Sequence, residues 1–346
     1  MSYFFLNYGG AKAVGGTVIP NPTYIPPNGH DVTNVDLSYE EQGEWKAIPF
    51  LHVKGWRQDE WEYSPTRYVD GKDVGKIAAR LFTPDGWPIP VRVSQIGGIS
   101  MRIEGRDILS EYIRAERVVT MVVQPFPWAE VEEFAIHLQQ DGIRLLPVFL
   151  DPATQIWESQ SVTQATDNRS REEMFSLEEE VLAQAADIPT IVDGRLQAHS
   201  GGFDSKTCPV FGVIKTHQRI PLDMSRLKML YALQLGQRLP AFIHAPAKNL
   251  TTLTWYLRIG EGGGQSALDG VVRIEVSLDW YESHVKGTNF VDRLSRVVMA
   301  YRCQRRSYNR AQISLEPIVR GEDRLGAVFG NYTRLLNHFY YLAHIS

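Results

Sequence analysis

Hydrophobic residues recur along this chain either at every second position, as in strands, or every three to four positions, as in helices. The change from one spacing to the other separates the predicted strands from the predicted helices. Apolar residues at every second position are typical of strands and predict an antiparallel meander over residues 66–69, 76–82 and 90–94, with a turn at Pro84-Asp85-Gly86. Helical periodicity enters afterwards, between apolar runs. The predicted helices are 128–140, 171–186 and 223–236, then two starting at Phe290 and Leu325, and the predicted strands are 117–123, 143–150, 188–192, 210–215, 241–244, 253–259 and 271–277. This order predicts an α/β protein with a mixed sheet flanked by helices, and residues 151–170 are predicted to be a loop.

The first part of the chain has a different composition. Residues 9–35 are rich in glycine, proline and asparagine, which predicts an irregular N-terminal extension that packs on the protein or on a second copy. We expect an extension over residues 1–60 and one α/β domain over residues 61–346.

Composition and charge exclude several classes of protein. No signal-peptide pattern and no run of roughly 18 apolar residues is present, so we expect a soluble, cytoplasmic protein without a membrane span. Cys208 and Cys303 lack the paired spacing of a zinc site or a disulfide framework. A net charge of -4 argues against a protein that coats nucleic acid through overall basicity, so any such contact must be local.

Two segments of the chain share one form, residues 67–71 and residues 190–194. In each, an apolar strand ends in an aspartate followed by glycine, Asp70-Gly71 and Asp193-Gly194. A strand holds its last carboxylate rigidly, and glycine lets a ligand approach the backbone closely. Asp-Gly is also a common turn pair, so the alternative for each segment is an ordinary turn.

The predicted helix before Asp193 carries a further acid in an unusual position. Its apolar face includes Glu178, together with Met174, Leu177, Val181, Leu182 and Ala185. An ionised carboxylate in a core-facing stripe is costly unless it is paired or binds a metal; otherwise Glu178 is an edge residue whose head reaches water. With Asp70 and Asp193 it would form an oxygen cluster suited to Mg²⁺ or Mn²⁺, as in sites that cut phosphodiesters.

An ATP site is not predicted. Residues 71–76 superficially match a phosphate-binding loop, but the segment is one residue short and Ile77 stands where a metal-binding hydroxyl is needed.

In their order, the two aspartate segments, the Glu178 helix, residues 210–215 and residues 271–275 resemble the motifs of the NurA family over about residues 60–330. The resemblance implies a ribonuclease H-like fold. It also implies an Mn²⁺-dependent 5′-to-3′ DNA nuclease that forms a homodimer and works with the hexameric HerA translocase in DNA-end processing during break repair. It gives Asp70, Glu178 and Asp193 the role of metal ligands.

The resemblance also suggests roles for two residues of its later strands. Lys215 becomes a phosphate or transition-state contact, with a solvated strand-end lysine as the alternative. Glu275 is either a further polar member of the site or a surface residue of its strand.

The chain departs from the family's pattern in two places. Family members carry a tyrosine and, eight residues later, a histidine near the C-terminus, where this chain has residues 314–318 and 321–322 instead. Glu322, or its neighbour Asp323, is the candidate replacement acid, and the alternative is an exposed carboxylate at a helix start. Arg195 follows Asp193-Gly194 where the family has serine, and it is either a phosphate contact or a surface residue.

A basic stretch with interleaved tyrosines, residues 301–310, is the candidate DNA contact. Arg302, Arg305 and Arg306 suit phosphate, and the tyrosines suit base stacking. The same composition also suits the C-terminal end of a helix, which attracts cations.

Three functions therefore remain open. The first is a metal-dependent DNA nuclease, acting as a 5′-to-3′ exonuclease or a single-strand endonuclease. The second is a catalytically reduced adaptor of a DNA motor, which the missing tyrosine and histidine favour and which would not need tight Mn²⁺ binding. The third is an RNA-processing enzyme of the same fold, because these residues do not distinguish ribose from deoxyribose.

Overall fold

The fold is taken from a computed structural model of the chain. It describes residues 4–9, 11–12, 34–36, 45–51, 61–151, 158–196, 208–217, 220–245, 250–261, 266–285, 289–304 and 313–344. Most of the predicted N-terminal extension lies outside these residues. None of the described helices is long and apolar enough to span a membrane.

A single mixed sheet organises the described residues. Its 13 strands are β1 (Ala11–Lys12), β2 (Asn34–Asp36), β3 (Ile48–Pro49), β4 (Arg67–Phe82), β5 (Pro88–Glu104), β6 (Asp107–Val122), β7 (Arg144–Val148), β8 (Thr190–Asp193), β9 (Val210–Ile214), β10 (Gln237–Arg238), β11 (Phe242–Ala245), β12 (Thr252–Arg258) and β13 (Val271–Ser277). The described helices are α1 (Phe4–Asn7), α2 (Trp128–Gln140), α3 (Ser159–Ala183), α4 (Met224–Ala232), α5 (Leu278–His284), α6 (Phe290–Ala300), α7 (Glu316–Phe329) and α8 (Tyr332–Leu342). The predicted α/β class is confirmed.

The strand order identifies the architecture. The main path of the sheet runs β2-β11-β12-β13-β9-β8-β4-β5-β6-β7. β4, β5 and β6 pair antiparallel, whereas β8 lies parallel to both β4 and β9. The first strand of the meander is therefore central, with its two followers on one side and β8 and β9 on the other. This is the ribonuclease H-like arrangement that the sequence predicts.

The meander differs from its prediction in length. Residues 66–69 and 76–82 are not separate strands, because β4 runs without a break through Asp70 and Gly71. Each residue from Arg67 to Ile77 has a partner in β5, and this continuous pairing outweighs the turn preference of Asp-Gly. Asp70 consequently lies inside a strand, whereas Asp193 does end β8.

Residues 159–170 are helical, although they were predicted as loop. They form the first half of α3. The residues of this half are mostly polar, so the sequence shows no apolar face from which a packed helix could be predicted. Asp167 in this half binds the Arg92 guanidinium of β5 at 2.9 Å, and Arg92 also binds Asp73 of β4. This half of α3 thus packs on the sheet through a buried ion pair and not through the regularly spaced apolar residues by which a helix is predicted from sequence. α5 was not predicted, and α7 begins nine residues before Leu325.

Two adjacent glycines let helices pack closely on both faces of β5. A Cβ atom on Gly98 would lie 2.9 Å from backbone atoms of Leu177 and Glu178 in α3. A Cβ atom on Gly97, on the other face, would lie 3.1 Å from side-chain atoms of Leu325 and Phe329 in α7. The sheet is thereby held between α3 and α7 at the level of Asp70 and Gly71, since Gly71 pairs with Gly98.

The N-terminal helix α1 belongs to the core. Phe4 stacks on Phe134 of α2 at a ring distance of 5.2 Å, and Phe5 contacts Phe339 of α8 at 5.6 Å. Both phenylalanines are buried. Phe4 and Phe5 therefore belong to the hydrophobic core that also contains residues of α2 and α8.

Candidate metal centre

Asp70 and Asp193 lie side by side on parallel strands. β8 pairs with β4 through Val69 and Val192, so the next residue of each strand is the aspartate. β8 ends at this point while β4 continues, and among the described strands the next to pair with this edge of β4 is β1, at Ala79. The first acid is thus fixed by a long strand and the second by the end of a buried one.

Glu322 of α7 completes a group of three acids. One carboxylate oxygen from each of Asp70, Asp193 and Glu322 lies within 4.8 Å of the others. Lys72 of β4 donates from its Nζ to the Glu322 carbonyl oxygen at 3.0 Å and so holds this turn of α7 over the strand. Glu322 is the seventh residue of α7, not an exposed helix-start residue, and the neighbouring Asp323 is exposed.

The Asp70 carboxyl is buried beside two other acidic side chains, which disfavours its ionised form. It is 6% exposed, and the burial, followed by the negative charges of Asp193 and Glu322, raises its pKa well above the ordinary value. Lys215 and the Gly71 N–H, which donates to Oδ1 at 2.9 Å, act in the opposite direction. Among the described residues Oδ2 has no hydrogen-bond partner. A cation beside this oxygen would favour the ionised form.

Lys215 is buried in the site. Its Nζ donates to Asp193 Oδ2 at 2.7 Å, and its side chain is 6% exposed. The structure therefore places the lysine against the acids, not in solvent at the strand end.

Glu178 approaches from the other side of β4. Its side chain fills the space where a Cβ on Gly71 would stand, on the face opposite to Asp70. It is 3% exposed, and burial, followed by the charges of Asp70 and Asp193, raises its pKa well above the ordinary value. Among the described residues the group within 4.8 Å does not include Glu178, so its role as a metal ligand stays a prediction.

Arg67 fixes the helix that carries Glu178, and sequence reasoning missed it. Its fully buried guanidinium donates to the carbonyl oxygens of Leu182 at 2.9 Å and Val181 in the last turn of α3, and to that of Ala185, just after the helix, at 3.2 Å. Glu111 of β6 balances its charge at 3.1 Å. An arginine inside an apolar strand three residues before Asp70 was the available signal.

Glu275 fixes the segment that follows Asp193. It is fully buried, it accepts from the Leu196 backbone N–H at 2.6 Å, and it pairs with Arg273 at 3.3 Å. It is thus neither a surface residue nor, among the described residues, part of the acid group. Arg195, between Asp193 and Leu196, is half-buried, and its phosphate role stays a prediction.

Replacing Glu275 by glutamine tests this anchoring role. The amide keeps an acceptor for Leu196 but removes the charge that balances buried Arg273, so we expect a loss of about 1–3 kcal/mol in unfolding free energy. Urea unfolding measures it. The exposed Glu62→Gln serves as control and should change stability little. An equally stable Glu275→Gln chain would show that the ion pair does not stabilise the fold.

Only the start of the predicted basic stretch is described. Arg302 is half-buried and bridges to Leu315. Arg305 and Arg306 lie outside the described residues. The DNA-contact prediction for this stretch therefore stays a prediction.

Comparison with known proteins gives a distant structural likeness. No protein-family model and no curated protein sequence matches this chain. The crystal structure of the NurA nuclease from Sulfolobus solfataricus is similar over 86% of this chain and 87% of that chain, with 9% sequence identity and a TM-score of 0.38. These values mark a distant structural relationship.

Proposed function

We propose that this chain is a metal-dependent phosphodiesterase that cuts the backbone of DNA. The observation that carries the proposal is the convergence of Asp70, Asp193 and Glu322, whose carboxylate oxygens lie within 4.8 Å of one another although the residues are far apart in sequence. Carboxylates held this close repel one another, and a bound divalent cation would relieve the repulsion that Lys215 offsets only in part.

The donor set fits a hard divalent cation. All three groups offer oxygen, which Mg²⁺ and Mn²⁺ prefer, and no described histidine or cysteine belongs to the group. The unpartnered Asp70 Oδ2 is an available ligand atom. Asp70, Asp193 and Glu322 would hold the ion, and Glu178 would bind or orient it from the α3 side.

The residues around the acid group would have different roles in phosphodiester cleavage. When bound, such an ion supplies an activated water and neutralises charge on the leaving oxygen. β4 and β8 hold Asp70 and Asp193 rigidly, so the ligand geometry is set before substrate arrives. Lys215, no longer needed to balance Asp193, would place its ammonium near the phosphate oxygens.

The setting proposed for this activity follows the NurA resemblance. It comprises 5′-to-3′ exonuclease or single-strand endonuclease cutting, a homodimer, Mn²⁺ as the preferred ion, and a HerA-type translocase that feeds DNA ends during break repair. Residues 71–76 form extended strand within β4 and not a phosphate-binding loop.

A second candidate is an adaptor of a DNA motor without cutting activity. It is supported by the ion pair between Lys215 and Asp193, which neutralises one acid without a metal, and by the absence of the family's tyrosine and histidine. Calorimetric Mn²⁺ titration separates the two candidates. For a nuclease we expect Mn²⁺ binding that Asp193→Asn removes, and for an adaptor we expect no binding that depends on Asp193.

The metal-free chain should become less stable as pH rises. With its raised pKa, folded Asp70 retains a proton that the unfolded chain releases above about pH 4, so stability is lost as pH rises toward the folded pKa. We expect Asp70→Asn to reduce this loss. Urea unfolding in a metal chelator at about pH 5 and about pH 8 measures both chains. An unchanged pH dependence in Asp70→Asn would contradict the burial of this charge.

A further inference from the structure

Glu322 is held differently from the other two acids of the group. β4 and β8 pair with each other up to the residue before each aspartate, so backbone hydrogen bonds fix the positions of Asp70 and Asp193. Glu322 belongs to α7, a helix that packs on the face of the sheet that carries Asp70. Its distance from the two aspartates therefore depends on how α7 is seated on the strands.

Close packing sets the height of α7 above the sheet. A Cβ atom on Gly321 would lie 3.1 Å from Cγ2 of Ile99 and 3.3 Å from Cγ of Met101, both in β5. Ile99 is the cross-strand partner of Asp70, so the residue before Glu322 rests beside the first acid. Apolar contacts have no preferred direction, so they set the height of the helix more sharply than its rotation.

A directional contact fixes the turn of α7 that carries Glu322. Lys72 lies two residues beyond Asp70 on β4, so its side chain leaves the same face of the strand about 7 Å further along. Its Nζ donates to the Glu322 carbonyl oxygen at 3.0 Å. A Cβ atom on Gly326 would lie 3.5 Å from this Nζ, so the ammonium lies against the turn. One strand thus holds both Asp70 and the backbone of Glu322.

Lys72 differs from the next lysine on the same face of β4. It is half-buried, and an ammonium that donates to a carbonyl forms one of the stronger kinds of hydrogen bond. Lys76, four residues further along, is exposed, and its Nζ lies 6.0 Å from the ring centre of Tyr332 in α8. The contact with the acid-bearing helix therefore belongs to Lys72 and not to the lysines of this strand in general.

We propose that Lys72 is a positioning residue of the metal centre, which holds α7 on β4 so that Glu322 meets Asp70 and Asp193 around one ion. This inference rests on the proposed function, because it takes the acid group as an ion site. It adds that the seating of α7 and the binding of the ion are coupled, so each stabilises the other.

Removal of the ammonium has two effects of opposite sign. As a positive charge about 7 Å from Asp70 along the strand, Lys72 repels a divalent cation, so loss of the charge by itself would tighten Mn²⁺ binding. Loss of the hydrogen bond frees α7, moves Glu322 away from the aspartates and weakens Mn²⁺ binding. The direction of the change in affinity therefore separates a positioning role from a charge effect.

Calorimetric titration of Mn²⁺ into Lys72→Met measures this direction. Methionine keeps most of the side-chain length and loses the donor, and we expect Mn²⁺ to bind roughly tenfold more weakly than to the native chain. Lys76→Met is the matched control, since it makes the same change on the same face of β4 without a contact to Glu322, and it should not weaken Mn²⁺ binding. Urea unfolding of both variants establishes that the fold is retained.

A double-mutant cycle with Glu322→Gln tests whether Lys72 acts through Glu322. In the Glu322→Gln chain the lysine has no anionic ligand left to place, so adding Lys72→Met should not weaken Mn²⁺ binding further. Losses of affinity that simply add would mean that Lys72 acts on the ion site by another route and would overturn the proposal.

Amide hydrogen exchange measures the seating of α7 without any cutting assay. In a metal chelator, the amides from Gly321 to Gly326 should exchange faster in Lys72→Met than in the native chain. Mn²⁺ should slow their exchange in the native chain, because coupling between two events is reciprocal. Exchange rates in α7 that respond neither to Lys72→Met nor to Mn²⁺ would contradict the coupling.

The outcomes for this role and for the proposed function are distinct. A native chain that binds no Mn²⁺ rejects the metal centre, and with it any ligand for Lys72 to place. A native chain that binds Mn²⁺ and cuts DNA, with Mn²⁺ binding equal or tighter in Lys72→Met, rejects the role of Lys72 alone.

Discussion

Asp193→Asn is expected to lower Mn²⁺-dependent cutting of DNA by on the order of 10³-fold or more while leaving the fold intact. The amide has the same size but no charge, so the acid group loses one of the three anionic side chains proposed to bind the ion. The hydrogen bond from Lys215 to Oδ2 also loses its ionic partner. End-labelled single- and double-stranded DNA, with an RNA of the same sequence, measures the loss and the substrate preference.

The control for this substitution is Asp85→Asn, in the exposed turn between β4 and β5. It makes the same chemical change far from the acid group and should leave cutting unchanged. Thermal unfolding of both variants establishes that the fold is retained. Full activity of Asp193→Asn would remove Asp193 from the mechanism, and inactivity of the native chain even with a HerA-type motor would favour the adaptor.

Gly98→Ala is expected to have the largest effect on stability. Its Cβ would lie 2.9 Å from backbone atoms of Leu177 and Glu178, which cannot move aside as a flexible side chain can. Either α3 shifts away from the sheet or the strand distorts, at a cost of roughly 3 kcal/mol. Because the same turn of α3 carries Glu178, cutting activity should fall as well. Urea unfolding and the cleavage assay measure the two effects.

Gly326→Ala is a matched control for Gly98→Ala. Gly326 lies inside α7, and the nearest atom to its added Cβ is Lys72 Nζ at 3.5 Å. Alanine is favoured over glycine within a helix, so this variant should be equally stable or up to about 1 kcal/mol more stable. Equal stability of Gly98→Ala and Gly326→Ala would show that α3 does not rest on the β5 backbone.

The spacing of apolar residues along the chain predicted those helices and strands that pack through apolar side chains. β13 occupies the predicted residues 271–277, and α2 occupies the predicted residues 128–140. Asp193 was recognised because a short buried strand ends there, and Glu178 because it interrupts an apolar helix face. Each of these signals lies within a few residues along the chain.

Other features depend on partners distant in sequence. Asp70 lies inside β4 because β5 pairs with every residue around it, which a local Asp-Gly pair does not reveal. The first half of α3 is polar because Asp167 pairs with Arg92 of β5. Glu322 came into consideration through the family resemblance, and its position beside Asp70 depends on α7 packing on Gly97. The spacing of apolar residues along the chain cannot reveal contacts between residues that are far apart in sequence.

The most direct test of the metal centre is a crystal structure of the chain grown with Mn²⁺, with the ion located by its anomalous scattering. The account predicts a peak in contact with carboxylate oxygens of Asp70, Asp193 and Glu322, and no peak there in Asp193→Asn. Absence of Mn²⁺ from these three residues in a native chain that cuts DNA would contradict it.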